Sequence, residues 1–254
     1  MRILLTGGTG FIGRHLWVYL GKMGHEIENI SKAEFMMEDF SRLDEKPDIV
    51  IHLAWIRNRD WNATDHLEFA ELSCHFMNEC HDRGIRVLNI GSSSEYGVKD
   101  TFMEENMVCE PMTTYGIAKL NVTLFAKRLG YNTLRLFTPF GEGGKSFASL
   151  YKTAEKWGNP NDVRDYQSIE FVCEAINRAM CSPHLMGEII NVCNGVQITN
   201  WEIGGPSNKW LKYPQSQYEP RNWIGSPVKM ERLLNMNTRS YDKLLRKIIL
   251  DEKE

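Results

Sequence analysis

Residues 2–13 read Arg-Ile-Leu-Leu-Thr-Gly-Gly-Thr-Gly-Phe-Ile-Gly, and this stretch decides the fold. Arg2 to Thr6 is a short apolar run, the pattern of a buried strand. From Phe11 to Lys22 the apolar residues Phe11, Ile12, Leu16, Tyr19 and Leu20 recur at helical spacing, and Gly24 supplies a stop. Between strand and helix stand Gly7, Gly10 and Gly13. Gly7 permits a tight turn out of the strand, Gly10 lets the backbone approach a diphosphate, and Gly13 lets the helix pack close to the sheet. The helix start then offers free N–H groups to the anion, so Gly7, Gly10, Phe11, Ile12, Gly13 and Arg14 are candidate cofactor contacts. A glycine triple alone is a weak signal, but its place between a strand and a helix gives it meaning.

The same alternation continues along the chain. His25 to Ile30, Asp48 to Ala54, Ile85 to Ile90 and Asn132 to Phe137 read as strands. Leu67 to Arg83 and Met112 to Leu129 read as helices ended by Gly84 and Gly130, the second capped by Thr113 or Thr114. Beyond Gly141 the pattern loosens to one helix near Ile169 to Met180 and one strand at Glu188 to Cys193. Strands apolar on both faces and alternating with helices predict an α/β fold with a doubly wound parallel sheet of the Rossmann type. Residues 1–140 are expected to form the dinucleotide-binding domain. Residues 141–254 are expected to form a small substrate-binding lobe, with segments around 164–195 returning to the sheet.

The chain has 254 residues, enough for a large core, and a formal net charge of −3. That balance argues against nucleic-acid binding, which needs a basic surface. None of the six cysteines forms a CxxC pair, so no metal site is expected. The chain enters a strand pattern at once and carries no apolar run of membrane-spanning length, so a soluble, cytoplasmic protein without a membrane partner is expected.

The second strand ends in Ser31-Lys32, without the acid that would hold adenosine ribose hydroxyls. Ser31, Lys32 and Arg14 are placed to accept a 2′-phosphate instead, which favours NADP over NAD. The stretch to Pro47 leaves little room for a crossover helix and a further strand, so the adenine side is expected to be trimmed. Asp39 is a candidate for the adenine amine, with a plain surface carboxylate as the competing reading. Leu53 and Ala54, closing the third strand, are further cofactor candidates.

Tyr115 and Lys119 stand four apart, on one face of the predicted helix. A phenol is a poor acid–base catalyst near neutrality, and a neighbouring ammonium stabilises its anion. Tyr115 can then give a proton to a carbonyl oxygen as hydride reaches its carbon. Ser92, in Gly91-Ser92-Ser93-Ser94-Glu95-Tyr96-Gly97, leaves a strand at its carboxyl end and can hold that oxygen.

Together, TGGTGFIG, DIVIHLA, GSSSEYG, YGIAK and LRLFTPFGEG resemble, in order and spacing, the extended short-chain dehydrogenases/reductases, the NAD-dependent epimerase/dehydratase family acting on nucleotide sugars. Arg164-Asp165-Tyr166 and the INVCNG strand extend the resemblance over nearly the whole chain. It implies Ser92, Tyr115 and Lys119 as the catalytic triad, with Ser93, Ser94, Thr138 and Arg221 as substrate contacts. The family's 4,6-dehydratases carry Asp-Glu where Ser93 and Ser94 stand, so water elimination is not expected. GDP-fucose synthase carries a cysteine where Ser94 stands, so 3,5-epimerisation is not expected either. What the resemblance implies is NAD(P)H-dependent reduction of a 4-keto deoxy nucleotide sugar. The alternatives are a 4-epimerase with tightly bound NAD and a non-catalytic NADPH sensor. A homodimer through the helices at 67–83 and 112–129 is a further implication.

Overall fold

The computed structural model describes residues 1–58, 60–97, 99–143, 162–199, 201–202, 222–238 and 243–247. Its centre is a six-stranded sheet of β1 (Arg2–Thr6), β2 (Glu26–Ile30), β3 (Ile49–His52), β4 (Arg86–Ser92), β5 (Asn132–Leu136) and β9 (Ile189–Val192). The order is β2-β1-β3-β4-β5-β9, and every pairing is parallel. A parallel sheet needs both faces covered. α1 (Phe11–Lys22) and α5 (Ile169–Met180) cover one face, and α3 (Asp65–Asp82) and α4 (Thr114–Arg128) the other. Two apolar clusters result. One packs Leu16 and Leu20 with Val172 and Ile176 over Leu5, Ile51 and Ile90. The other packs Phe69, Phe76 and Val122 over Leu4, Val50 and Val87.

The predicted doubly wound sheet is present, and the α1 and α5 boundaries coincide with the sequence reading. β4 runs two residues further than expected, to Ser92, which pairs with Leu136. The trimmed adenine side takes a specific form. The link from β2 to β3 is α2 (Lys32–Met36) and a 3-10 turn at Ser41–Glu45. No strand lies beyond β2 among the described residues.

The second half adds pairings the sequence did not suggest, because each strand is only two or three residues long. β6 (Thr138–Phe140) pairs with β8 (Tyr166–Ser168). β7 (Val163–Arg164) lies between β10 (Ile198–Thr199) and β11 (Asn222–Trp223). α6 (Val228–Leu234) follows. Residues 203–221, with the expected substrate contact Arg221, lie outside the described residues.

Candidate active site

The loop after β1 is built by exclusion. Gly7 has φ +77°, and a Cβ there would sit 2.8 Å from the Ala54 nitrogen. β3 is held this close because the Leu53 N–H donates to the Thr6 carbonyl (3.1 Å) and the Ala54 N–H to Thr6 Oγ1 (3.2 Å). A Cβ on Gly13 would lie 2.4 Å from the Gly7 oxygen, so α1 could not start so near the loop with any larger residue. Gly10 is different. Its φ of −72° suits any residue, and a Cβ would meet only the Gly7 oxygen, at 3.1 Å. The protein's own packing therefore demands glycine less strictly at position 10 than at 7 or 13.

The start of α1 points the same way. Ser31, Thr113 and Ser168 cap α2, α4 and α5 with side-chain oxygens. α1 has neither a side-chain cap nor an acid in its first turn. α3 and α6 also lack a side-chain cap but carry acids in their first turns, so the positive end of α1 has no such neighbour, and a dinucleotide's diphosphate would fit there. Phe11 and Ile12 pack on the core beside it. Asn29, at the end of β2, fixes the loop by accepting the Gly8 N–H (2.7 Å), a role the sequence reading missed.

The adenine side departs from expectation. Ser31 accepts the Glu34 N–H (3.2 Å) and donates its own N–H to the Glu34 carboxylate (2.7 Å). These bonds, with Arg42 at 3.0 Å, hold the Glu34 carboxyl down at about 2. An ionised carboxylate therefore stands four residues past the end of β2, just beyond the Ser31-Lys32 pair. Lys32 is exposed. Arg14, grouped by sequence with Ser31 and Lys32, reaches the Glu142 carbonyl (3.3 Å). Asp39 is exposed and accepts the Ser41 N–H (3.2 Å), which starts the 3-10 turn.

Ser92, Tyr115 and Lys119 converge at the carboxyl ends of β3 and β4. Lys119 is buried, donates to the Ile90 carbonyl (3.0 Å), and sits 3.9 Å above the Trp55 ring. Burial pushes its ammonium down to about 8, and the Glu95 charge works against that. Burial likewise pushes the Tyr115 phenol up to about 12, while a hydrogen bond with Ser92 draws it down and Glu95 raises it. Three rings meet Tyr115 edge-on: Trp61 at 4.7 Å, His66 at 5.4 Å and Trp55 at 5.9 Å.

Behind this trio lies a polar network. Glu95 is fully buried and accepts from the Ser92 N–H (2.8 Å), Thr123 Oγ1 (3.0 Å) and Arg135 Nε (2.7 Å). Arg135, 1 % exposed, lies over the Tyr96 ring, whose hydroxyl donates to Asn191 on β9. Glu95 therefore fixes the main chain of Ser92 rather than facing the cleft. Ser92 Oγ in turn accepts the Ser94 N–H (3.2 Å).

The expected substrate contacts separate. Ser93 is buried, and its hydroxyl accepts the Trp223 indole N–H, so it ties β11 to the sheet instead of lining an open surface. Ser94 is half-buried beside Ser92. Thr138 is half-buried at the start of β6, its N–H directed to the Asp165 carbonyl and to Gln167. Asp165, fully buried, gathers the Asn194, Gly195 and Gly225 N–H groups (3.0, 2.9 and 3.3 Å) and pins the second half to itself. Trp55, Trp61, Glu95 and Arg135 were missed as site residues. Two tryptophans in the WIRNRDWN segment after a strand, polar but for them and Ile56, were the available signal.

A diphosphate cradle and a Ser–Tyr–Lys trio at the carboxyl edge of one parallel sheet define a short-chain, nicotinamide-type oxidoreductase. The family model for the NAD dependent epimerase/dehydratase family matches residues 3–193, and the chain belongs to that family. The chain is 26 % identical over 232 residues to GDP-6-deoxy-D-talose 4-dehydrogenase from Aggregatibacter actinomycetemcomitans, covering 80 % of this chain and 78 % of that one. It is also 26 % identical over 240 residues to Protein CapI from Staphylococcus aureus, covering 72 % and 70 %. Among solved structures it resembles MoeE5 in complex with UDP-glucose and NAD (TM-score 0.83, 21 % identity, 99 % and 97 % covered). It also resembles the UDP-N-acetylglucosamine 4-epimerase of Methanobrevibacter ruminantium M1 (TM-score 0.81, 19 % identity, 98 % and 97 % covered).

Proposed function

We propose that this protein transfers hydride between NAD(H) and C4 of a nucleotide sugar, acting as a 4-ketoreductase. The observation that carries the reading is the convergence of Ser92, Tyr115 and Lys119 beside the uncapped start of α1. Bound there, the nicotinamide supplies or accepts the hydride. Tyr115 Oη gives its proton to the carbonyl oxygen, Ser92 Oγ holds that oxygen as charge gathers on it, and the Lys119 ammonium favours the phenolate left behind. The other acidic group near the trio, Glu95, is sealed in an ion pair with Arg135. No second acid–base pair stands ready for elimination of water among the described residues.

NAD is the better fit on the adenine side, against the NADP favoured by sequence. The Ser31 hydroxyl is occupied as a cap, and the ionised Glu34 beside it would repel a 2′-phosphate. Residues 141–254 serve as the substrate lobe. The groove between α3 and α4, lined by Leu67, Ala70, Cys74, Leu124 and Phe125, is the face for a second copy of the chain. A 4-epimerase is the competing reading, supported by the likeness to proteins of that name.

The test is to denature purified protein and identify any released cofactor, then to follow NADH and NADPH oxidation with 4-keto-6-deoxy nucleotide sugars. Empty protein that oxidises NADH with one of them supports the reductase. Protein that arrives loaded with NAD, consumes nothing and interconverts 4-hydroxy epimers overturns it in favour of the epimerase.

A further inference from the structure

The segment between β3 and α3 does more than connect them. It seals the first turn of α4, where N–H groups have no partner within the helix. The Tyr115 N–H donates to the Trp61 carbonyl (2.9 Å) and the Thr114 N–H to Asn62 Oδ1 (3.4 Å), and Thr114 Oγ1 donates to the Asn62 carbonyl (3.1 Å). A backbone carbonyl from any residue would serve at position 61. The indole is therefore unexplained by the capping, and so is its position against Tyr115.

The two tryptophans of the segment contrast. Trp55 is used up by the protein: its Nε1 donates to His66 Nδ1 (3.3 Å) and its face carries Lys119. Trp61 meets the Tyr115 ring at 4.7 Å and 70°, yet 52 % of its surface is open. Its backbone is anchored on the helix that carries Tyr115, and its ring rests against the Tyr115 ring without any ligand present. Of the three rings that meet Tyr115, Trp61 is the most exposed, so its face is open to a ligand beside the group that touches the reacting oxygen.

We propose that Trp61 is a specificity-determining residue, the platform on which the apolar C–H face of the substrate's pyranose packs. This rests on the nucleotide-sugar reading given above. Tyr115 Oη must contact the oxygen of the reacting ring, so a group touching the Tyr115 ring lies beside that sugar. The nucleoside base is a diphosphate further away. An aromatic face is apolar and carries negative charge density above its plane, which suits the slightly positive C–H groups of one pyranose face. The contact favours binding of the sugar without adding to the chemical step.

The experiment compares wild type, Trp61→Ala and Trp61→Phe by calorimetric titration with UDP-glucose, GDP-mannose and dTDP-glucose, each beside its nucleoside diphosphate, in the presence of saturating NAD. Trp61→Ala should weaken the preferred nucleotide sugar by roughly 10- to 100-fold and leave its nucleoside diphosphate within about twofold. Trp61→Phe should recover most of the loss. In turnover the same loss appears in KM, with kcat little changed. Main-chain anchoring survives both substitutions, and unchanged thermal unfolding confirms it. Equal weakening of sugar and diphosphate, or no weakening of either, overturns the inference while leaving the functional reading intact. A wild-type protein that binds no nucleotide sugar more tightly than its diphosphate overturns both.

Discussion

The two ends of the proposed cofactor cleft are built on opposite principles. At the diphosphate end, function comes from what is missing: side chains at Gly7, Gly10 and Gly13, a cap on α1, and an acid in its first turn. At the catalytic end, it comes from what is buried. Tyr115, Lys119 and Ser92 are steadied by Glu95, Arg135, Thr123 and two tryptophans, many of them sealed from water. A site made of backbone tolerates almost no added atom. A site made of side chains depends on each polar partner finding its mate, because an unpaired buried charge is expensive.

The largest effect should come from the catalytic end. Tyr115→Phe is expected to cut turnover by about 10²- to 10⁴-fold while cofactor affinity, read by fluorescence titration, stays near wild type. Loss of both together would mean that the two ends are not separable.

Next, Arg135→Met leaves the Glu95 carboxylate buried without its partner and should cost about 3–5 kcal/mol in urea unfolding. Glu95→Leu combined with Arg135→Met should recover most of that stability but not the turnover, since the Ser92 N–H loses its acceptor. A double variant as active as wild type would show the network to be mere packing.

At the diphosphate end, two glycines should part company. Gly13→Ala drives a Cβ against the Gly7 oxygen and should lower both the melting temperature and cofactor affinity. Gly10→Ala should lower the melting temperature far less than Gly13→Ala, since its Cβ meets the Gly7 oxygen at 3.1 Å rather than 2.4 Å, and lose roughly tenfold in cofactor affinity. Equal melting losses would contradict the distinction drawn between them.

Comparable in size is the effect of Glu34→Gln, which keeps the cap but removes its charge. It should shift the NADPH-to-NADH ratio of kcat/KM upward by about tenfold. An unchanged ratio would remove Glu34 from cofactor choice.

The last is a pH effect. Lys119 holds its proton only up to about 8 in the folded protein, whereas Tyr115 keeps its own to about 12. Reductive turnover should therefore be full below that point and fall as pH rises through about 8, with the ammonium, not the phenol, setting the limb. A profile flat to pH 9.5 would exclude Lys119 as the titrating group.

The same contrast explains what could be read from sequence. The strand–glycine–helix unit spans residues 2 to 22 and is contiguous, so its periodicity and spacing spell it out. Tyr115 and Lys119 share one helix and were equally visible. Glu95 meets Arg135 across 40 residues and Trp223 meets Ser93 across 130, and no local pattern encodes such pairs. Ser93 shows the same limit: the family resemblance implies a substrate contact there, while its hydroxyl's partner arrives from β11. Ser31 shows the other limit. A serine after a strand reads as a ligand group, but Glu34 three residues on makes a capping box, a local signal that was present and overlooked.

Among the described residues the sheet ends at β2, and this has a consequence for the company this protein keeps. A terminal strand offers unpaired main-chain groups to any passing extended chain, and so invites the growth of a shared sheet. Here that rim is studded with charge: Arg2 sits among Glu26, Glu28 and Glu45, and Arg42 reaches Glu28 and Glu34. A strand approaching to add itself would have to strip water from these groups, which makes the border self-limiting and keeps one molecule's sheet from becoming the template for the next.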